Sequence, residues 1–546
     1  MKRFYFLLFI SFLVVQAHAQ ETQDKPKLVV GIVIDQMRYD YLQKFWSRFE
    51  DGGFKRMINE GYNFKNNHYN YAPTFTGPGH TSVWTGTSPM NHGIIGNDWY
   101  SKFEDQMVYC AGDDHVDPVG TESAAGKMSP HRMVSTTLAD QNRLHTQFRG
   151  KTIGVSIKDR GAILPAGHTA NAAYWFVGGD EGKFVTSSYY MNELPQWAKD
   201  FNNSGKNKSY LKTWNTLYEM DSYIMSGPDK NNFEGGFKGN ETAEFPYELG
   251  KINKDNGLYS IIPQTPYGDD ITLDFAEAAI LGEQLGQDAD TDILALSFSS
   301  TDKVGHNFGV NSKELEDTYL RLDKNISDLL TFLDQNVGEN NYTVFLTSDH
   351  AGNHVSGYLE SVRIPTNNLE YGDFIDAMEV FLQEKYDAEG LISNVSNQQI
   401  FFNYKKLEEE EINTEDFEKV ISAYLLQQPG IYKVFTRTEL TSGSFDSGVG
   451  YVVQNGFNQK RSGDIAFVKY PGSGFEKGSM HGSVWNYDTH APLLFFGKGI
   501  PHGSTFERTE IIDIAPTMAA LLGIEYPNAT SGKPLFQMLD LPVESE

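Results

Sequence analysis

Four stretches of the chain share one pattern: a short, continuous apolar run rich in β-branched residues that breaks off at charged or metal-binding residue types. Residues 27–34 run into Asp35, residues 151–157 into Lys158-Asp159-Arg160, residues 293–298 into Thr301-Asp302, and residues 343–346 into Ser348-Asp349-His350. Runs without polar alternation predict strands buried on both faces, as in a parallel sheet. Ligands of open α/β sheets bind beyond the carboxyl ends of the strands. The four polar termini are therefore expected to share one site. Strand ends that meet solvent become polar anyway; that accounts for one or two of them, but not for the repeated choice of Asp and His.

Helical periodicity follows the first strand over residues 39–59, interrupted at Gly52-Gly53, and recurs over 372–386, 414–427 and 511–522. Strand-like runs recur at 465–470 and 492–496. Residues 100–130 are rich in Gly, Ser and Asp, and residues 178–270 are aromatic, Asn-rich and weakly periodic. These two segments and 360–475 are expected to be insertions or a cap on one α/β domain spanning residues 20–546, with a mostly parallel central sheet flanked by helices. The acidic run Glu408 to Glu411 is a solvated helix face. Neither an internal repeat nor a low-complexity linker is visible.

The first 19 residues set the compartment. Lys2 and Arg3 precede an apolar run from Phe4 to Val15, and Ala17-His18-Ala19 has the form of a signal peptidase site, with Gln20 as the mature start. The run is too short for a membrane span, and no second long apolar stretch follows. A protein exported to the periplasm, soluble and monomeric, is expected. The formal net charge is −27 at pH 7, and loss of Lys2 and Arg3 makes it more negative. Such a chain lacks the basic footprint that nucleic acids and anionic membranes require. An anionic substrate would need locally concentrated positive charge, which divalent metals and one or two cations can supply. Cys110 is the single cysteine, so zinc would have to be held by His and carboxylates.

The candidate nucleophile lies in Pro73-Thr74-Phe75-Thr76-Gly77-Pro78-Gly79-His80, just before a helical stretch. Taken alone, Thr76 is most simply a helix cap; at a helix N-terminus it would also face unpaired N–H groups that favour an anion. Asp302 and His306 stand four apart, on one face if helical, and in isolation read as a hydrogen-bonded pair. Asp349-His350 are adjacent at a strand tip. With Asp35 and a late histidine, they make an oxygen and nitrogen ligand set that suits two zinc ions. His481, in a Gly-flanked loop, is favoured over His490, with Asp488 and His490 supporting that loop. His80, His92 and His168 read as hydrogen-bonded structural residues. Two metals about 4 Å apart can stabilise both the attacking and the leaving oxygen of a displacement at phosphorus, and coordination activates a threonine hydroxyl that is otherwise a weak nucleophile. Asn97, Lys158 and Arg160 are candidates for binding the phosphoryl oxygens.

These residues resemble the alkaline phosphatase superfamily, most closely its phosphate-irrepressible bacterial enzymes. The resemblance rests on residues 33–38, 73–80, 96–100, 158–168, 300–309, 349–350 and 481–490, in order, and extends to Gly532-Lys533-Pro534. It implies one zinc on Asp302, His306 and His481, and a second on Asp35, Asp349 and His350. It further implies Thr76 as a nucleophile that itself contacts metal, and Asn97, Lys158 and Arg160 as phosphoryl contacts. It also selects His481 over His490. Two departures are visible: Gly77-Pro78 after the threonine, and Lys303 inside the Asp302 to His306 motif.

Phosphodiesterases of the superfamily share the threonine, the asparagine and both metal sites, so Lys158 and Arg160 carry the discrimination. A monoester dianion rewards two cations, whereas a diester is less charged and needs room for a second substituent. Small-molecule phosphate monoesters are the expected substrates. A nucleotide pyrophosphatase/phosphodiesterase is the alternative. A sulfatase is disfavoured because Cys110 stands in Tyr-Cys-Ala-Gly-Asp, and the leader argues against a cytosolic phosphomutase. A catalytically silent metal- or glycan-binding surface protein would also suit an acidic, aromatic-rich chain, but leaves the ligand set without a purpose.

Overall fold

Leu28–Ile34 (β1) is buried throughout because it is packed on both faces: Leu28, Val30, Ile32 and Ile34 join one apolar cluster, and Val29 and Val33 another. The computed structural model describes residues 25–240, 242–366, 371–474 and 476–539. The expected export leader, residues 1–19, and Gln20 lie outside them.

The main sheet comprises, in chain order, β1, Tyr62–Phe64 (β2), Pro118–Val119 (β3), Thr152–Ser156 (β4), Ala172–Val177 (β5), Lys183–Ser187 (β6), Asp292–Phe298 (β7), Tyr342–Thr347 (β8), Leu493–Gly497 (β9) and Gly503–Thr505 (β10). Across the sheet the order is β10-β2-β9-β8-β1-β7-β4-β5-β6-β3. The central strands β8, β1, β7, β4 and β5 are mutually parallel; β9 and β6 flank them antiparallel. This is the expected mostly parallel sheet with helices on both faces. Its register sets Ile34 beside Phe298, Val33 beside Thr347 and Ser297 beside Ser156, so the carboxyl ends of four strands finish level. Asp35, Asp302, Asp349-His350 and Lys158 all follow at that edge.

Six helices position the site: Thr76–Thr85 (α1), Asp159–Ala166 (α2), Tyr267–Glu283 (α3), Ser300–Phe308 (α4), Lys313–Leu333 (α5) and Ile514–Leu522 (α6). Apolar residues of α3 and α5 pack on one face of the sheet, and those of α1 and α6 on the other.

The helix expected over 39–59 is broken more often than its periodicity suggests, into Tyr41–Lys44, a 3-10 turn at Trp46–Arg48, and Phe54–Glu60. Tertiary contact explains the break. The Asp323 carboxylate on α5 accepts from Glu50 N at 2.6 Å and Phe54 N at 2.8 Å, capping the new helix from outside. A Cβ on Gly53 would come within 2.3 Å of the Asp323 carbonyl oxygen.

Residues 392–469 contain a separate antiparallel sheet in the order Ile392–Ser396, Gln399–Phe402, Ile465–Lys469, Ile431–Thr436. Phe402 and Phe467 of this sheet pack with Met378, Phe417 and Ile421 in a cluster of their own. At the tip of its first hairpin, Asn397 and Gln398 adopt left-handed backbone (φ 53° and 59°). Gln398 Nε2 donates to the Gly482 carbonyl at 2.9 Å, and Asn397 Nδ2 to that of Asp98 at 2.6 Å. The hairpin tip thus braces the loops that carry His481 and Asn97.

Candidate active site

Thr76 is the first residue of α1, with Phe75 before it extended (φ −118°, ψ 162°). Its hydroxyl is buried and lies 3.5 Å from His350 Nε2. Gly77 N donates to Asn97 Oδ1 at 2.7 Å, which turns the amide so that its Nδ2 hydrogens remain as donors. Helix α1 runs against the β8 terminus so closely that a Cβ on Gly79 would sit 2.0 Å from the Asp349 carbonyl oxygen. Gly79→Ala should therefore overpack this contact, costing about 1–3 kcal/mol, and misplace Thr76 against Asp349. Thermal unfolding and turnover should fall together; an unchanged melting temperature would contradict the close approach.

Beyond the strand ends lie two groups whose potential ligand atoms fall within 4.8 Å of one another: Asp35, Asp349 and His350, and Asp302, His350 and His481. His350 belongs to both. His306 stands beside the second group, its Nε2 3.0 Å from Asp302 Oδ1 and its ring 5.2 Å from that of His481. The rings of His350 and His481 stack at 3.6 Å.

The three imidazoles are oriented in one way. His306 Nδ1 lies 2.8 Å from the Ser479 carbonyl, His350 Nδ1 3.0 Å from that of Ala351, and His481 Nδ1 2.7 Å from that of Thr74. A carbonyl only accepts, so each Nδ1 carries the proton and each Nε2 turns a lone pair to the site, as for histidines held ready to ligate a metal. Burial pulls the pKa of His350 down to about 3. Burial, with His350 beside it, also lowers His481 well below its ordinary value. For His306 burial works the same way, but the Asp302 carboxylate outweighs it and raises the pKa.

The carboxylates are crowded without matching donors. Burial pushes Asp349 up to about 7, and the facing charge of Asp35 adds to the shift. Among the described residues, buried Asp35 Oδ1 has no hydrogen-bond partner, and neither does buried Asp349 Oδ2, although His80 Nδ1 lies 3.3 Å from it. Asp302 is opposed by burial yet held well below the usual carboxylate range by His306 and Lys158. Lys158 Nζ lies 2.8 Å from Asp35 Oδ2 and 2.6 Å from Asp302 Oδ2, tying the two groups together. Arg160 Nη1 donates to the Tyr109 hydroxyl at 3.0 Å, and that hydroxyl donates to Asp159.

The late-histidine choice has a plain geometric outcome. His481 is in the cluster. His490 stacks between Tyr39 and His68, each 4.5 Å away, and faces the Lys65 carbonyl. Asp488 supports the His481 loop by accepting from Ser483 N at 2.8 Å. His92 and His168 bond to Ser82 and to the Ser135 carbonyl, as expected of structural residues.

Three contributors escaped the sequence reading. His80 Nδ1 lies 3.3 Å from Asp349 Oδ2 and 3.0 Å from the Thr76 carbonyl, with Nε2 on Ser297 Oγ; its position four residues after Thr76 on one helix was the available signal. Gln36, with φ 62°, donates from N to Asp349 Oδ1 at 3.1 Å and from Nε2 to Asp302 Oδ1 at 2.8 Å, joining both groups. Tyr109 reaches Arg160 from a distant strand. Gln36 follows Asp35 within the 33–38 motif; nothing local in the sequence marks Tyr109.

The family model for type I phosphodiesterase / nucleotide pyrophosphatase matches residues 29–492. Alkaline phosphatase PafA of Elizabethkingia meningoseptica is 43% identical over 530 residues, covering 95% of this chain and 96% of that protein. The chain belongs to the alkaline phosphatase superfamily. Two crystal structures of alkaline phosphatase PafA, the wild type and a variant substituted at a threonine, an asparagine, a lysine and an arginine, each match this superfamily member with a TM-score of 0.91 at 42% identity, covering 94% of this chain and 99% of theirs. A Myroides odoratus protein named calcium-transporting ATPase is 42% identical over 539 residues, 97% of each chain. The family expected from the motifs is the family found, and the mostly parallel sheet is the superfamily's fold.

Proposed function

We propose that the protein hydrolyses phosphate monoesters, with Thr76 as the nucleophile at a site for two zinc ions. The observation that carries this reading is the Thr76 hydroxyl at the start of α1, 3.5 Å from His350 Nε2, amid the buried carboxylates and the imidazole Nε2 atoms turned to the site. The donor set fits two zinc ions: Asp35 and Asp349 each keep a buried oxygen without a hydrogen bond among the described residues, and three Nε2 atoms converge, those of His350 and His481 as neutral donors. Asp35, Asp349 and His350 would hold one ion, and Asp302, His306 and His481 the other. When bound, the ions supply Lewis acidity that activates a hydroxyl and stabilises negative charge around phosphorus.

The remaining roles belong to the chain. Thr76 Oγ1 forms a bond to phosphorus as the bond from phosphorus to the leaving alcohol oxygen breaks; water then releases phosphate and restores the hydroxyl. Asn97 Nδ2, Lys158 Nζ and the Arg160 guanidinium donate to the phosphoryl oxygens, where charge must be held. Lys158 and Arg160 favour the monoester dianion. The four residue types substituted in the PafA variant stand in the same order here, at Thr76, Asn97, Lys158 and Arg160. We read the protein as exported to the periplasm; among the described residues no helix is long and apolar enough to cross a membrane.

Parallel assays of aryl phosphate, bis-aryl phosphate and aryl sulfate test the reading. Aryl phosphate should be cleaved fastest, with activity lost on chelation and restored by zinc. Faster cleavage of bis-aryl phosphate would assign the site to diesters instead.

A further inference from the structure

One hairpin meets three of the groups proposed to handle the phosphoryl group. Its strands, Asp98–Ser101 and Gln106–Tyr109, pair antiparallel with Asp98 opposite Tyr109, and at its open end Cys110 N donates to the Asn97 carbonyl at 2.8 Å. Asn97 and Tyr109 are therefore held side by side. The same end presses on the start of α1: Gly77 N donates to Asn97 Oδ1 at 2.7 Å, and a Cβ on Gly77 would come 3.2 Å from both Cys110 Sγ and the Gly96 carbonyl oxygen. The hairpin is thus fixed against the segment that carries Thr76.

Tyr109 extends this frame to α2. Its hydroxyl donates to Asp159 Oδ1 and accepts from Arg160 Nη1 at 3.0 Å, so it uses both roles a phenol has. Burial holds that hydroxyl protonated, its pKa well above the ordinary value, against the opposing charge of Arg160. Among the described residues the Arg160 guanidinium has no other hydrogen bond, and its buried Nε has no partner. A carboxylate in the phenol's place would pair with the guanidinium through two donors and cancel much of its charge. With the hydroxyl between them, Asp159 orients Tyr109 and Tyr109 orients Arg160. The charge and the remaining donors stay available to a phosphoryl group.

We propose that Tyr109 is a positioning residue for phosphoryl transfer: through its hydroxyl, the hairpin that follows Asn97 also sets where the Arg160 guanidinium stands relative to Thr76. This rests on the monoesterase reading above and adds to it that Arg160 is not placed by its own helix alone. An arginine side chain is long, and ordering it costs rotamer entropy. A planar fork already fixed by one bond gives up less of that freedom when it meets phosphate oxygens. Misplacing such a group by about 1 Å costs up to about a hundredfold in rate. Tyr109→Phe removes the hydroxyl and keeps the ring, so it isolates this contribution from packing.

Aryl phosphate kinetics of the zinc-loaded, full-length protein, of Tyr109→Phe, of Arg160→Ala and of the double variant test this. Tyr109→Phe alone should lower kcat/KM about ten- to hundredfold with unchanged zinc content. In the Arg160→Ala background the same substitution should cost no more than about twofold, because no guanidinium remains to be placed. With Arg160→Ala impaired as expected, a Tyr109→Phe loss of equal size in both backgrounds, or no loss in the wild-type background, would overturn the role of Tyr109 and leave the monoesterase reading standing. Arg160→Ala as active as the wild type would overturn both the role of Tyr109 and that of Arg160. Should Tyr109→Phe fail to fold, Asp159→Asn decides, since it weakens the acceptor that orients the Tyr109 hydroxyl. A loss that vanishes in the Arg160→Ala background supports the proposal, and a loss unchanged there overturns it.

Discussion

Thr76→Ala should lower aryl phosphate hydrolysis by about a thousandfold or more, because it removes the hydroxyl proposed to form the covalent intermediate. The hydroxyl sits at the start of α1 with Gly77 N, the Asn97 amide and His350 arranged around it. None of these can substitute for an oxygen nucleophile. Thr76→Ser keeps the oxygen but loses the methyl group that restricts its rotamers, so part of the activity should remain. Acid quenching with labelled substrate should trap phosphate on the wild-type and Thr76→Ser proteins and none on Thr76→Ala. Zinc content should change little among the three, since three His or Asp side chains would hold each ion besides any contact from Thr76. Full turnover by Thr76→Ala with normal metal content would remove Thr76 from the mechanism.

Lys158→Ala and Arg160→Ala should each cut monoester turnover by about 100- to 1,000-fold, and diester turnover by less than about tenfold. A dianionic phosphoryl group gains more from two cations than a monoanionic diester does. The two variants should differ from each other in a second respect. Lys158 Nζ bridges Asp35 and Asp302, and breaking a buried ion pair by removing one partner costs about 3–5 kcal/mol. Metal-stripped Lys158→Ala should therefore unfold at lower temperature than metal-stripped wild type, with much of the difference recovered on adding zinc. Arg160 leans on the Tyr109 hydroxyl and does not touch those carboxylates, so Arg160→Ala should show no such zinc-dependent recovery. Equal losses for monoester and diester would rule out the selectivity role of both residues.

The chain carries its fold in a local code. Continuous apolar runs at residues 27–34, 151–157, 293–298 and 343–346 predict strands buried on both faces, and β1, β4, β7 and β8 are adjacent or near-adjacent strands of one sheet. The residues that end those runs are set by the same code, which is why Asp35, Lys158, Asp302 and Asp349-His350 are legible in the sequence as one edge. The family was legible for a related reason: its motifs are short, local and in order.

What local sequence does not carry is the set of contacts between segments far apart in the chain. The helix expected over 39–59 breaks because Asp323, on a remote helix, caps it from outside. Gln36 and Tyr109 reach their partners only through a turn and a strand that tertiary packing places. The sequence by itself determined the strands, their polar ends and the residue types available for chemistry, since apolar periodicity and motif spacing act over a few residues. Only the tertiary structure decided the level register of the strand ends, the turning of three Nδ1 atoms onto backbone carbonyls, and the reach of His80 and Gln36 to Asp349. Each of those depends on where distant backbone carbonyls and charges come to rest.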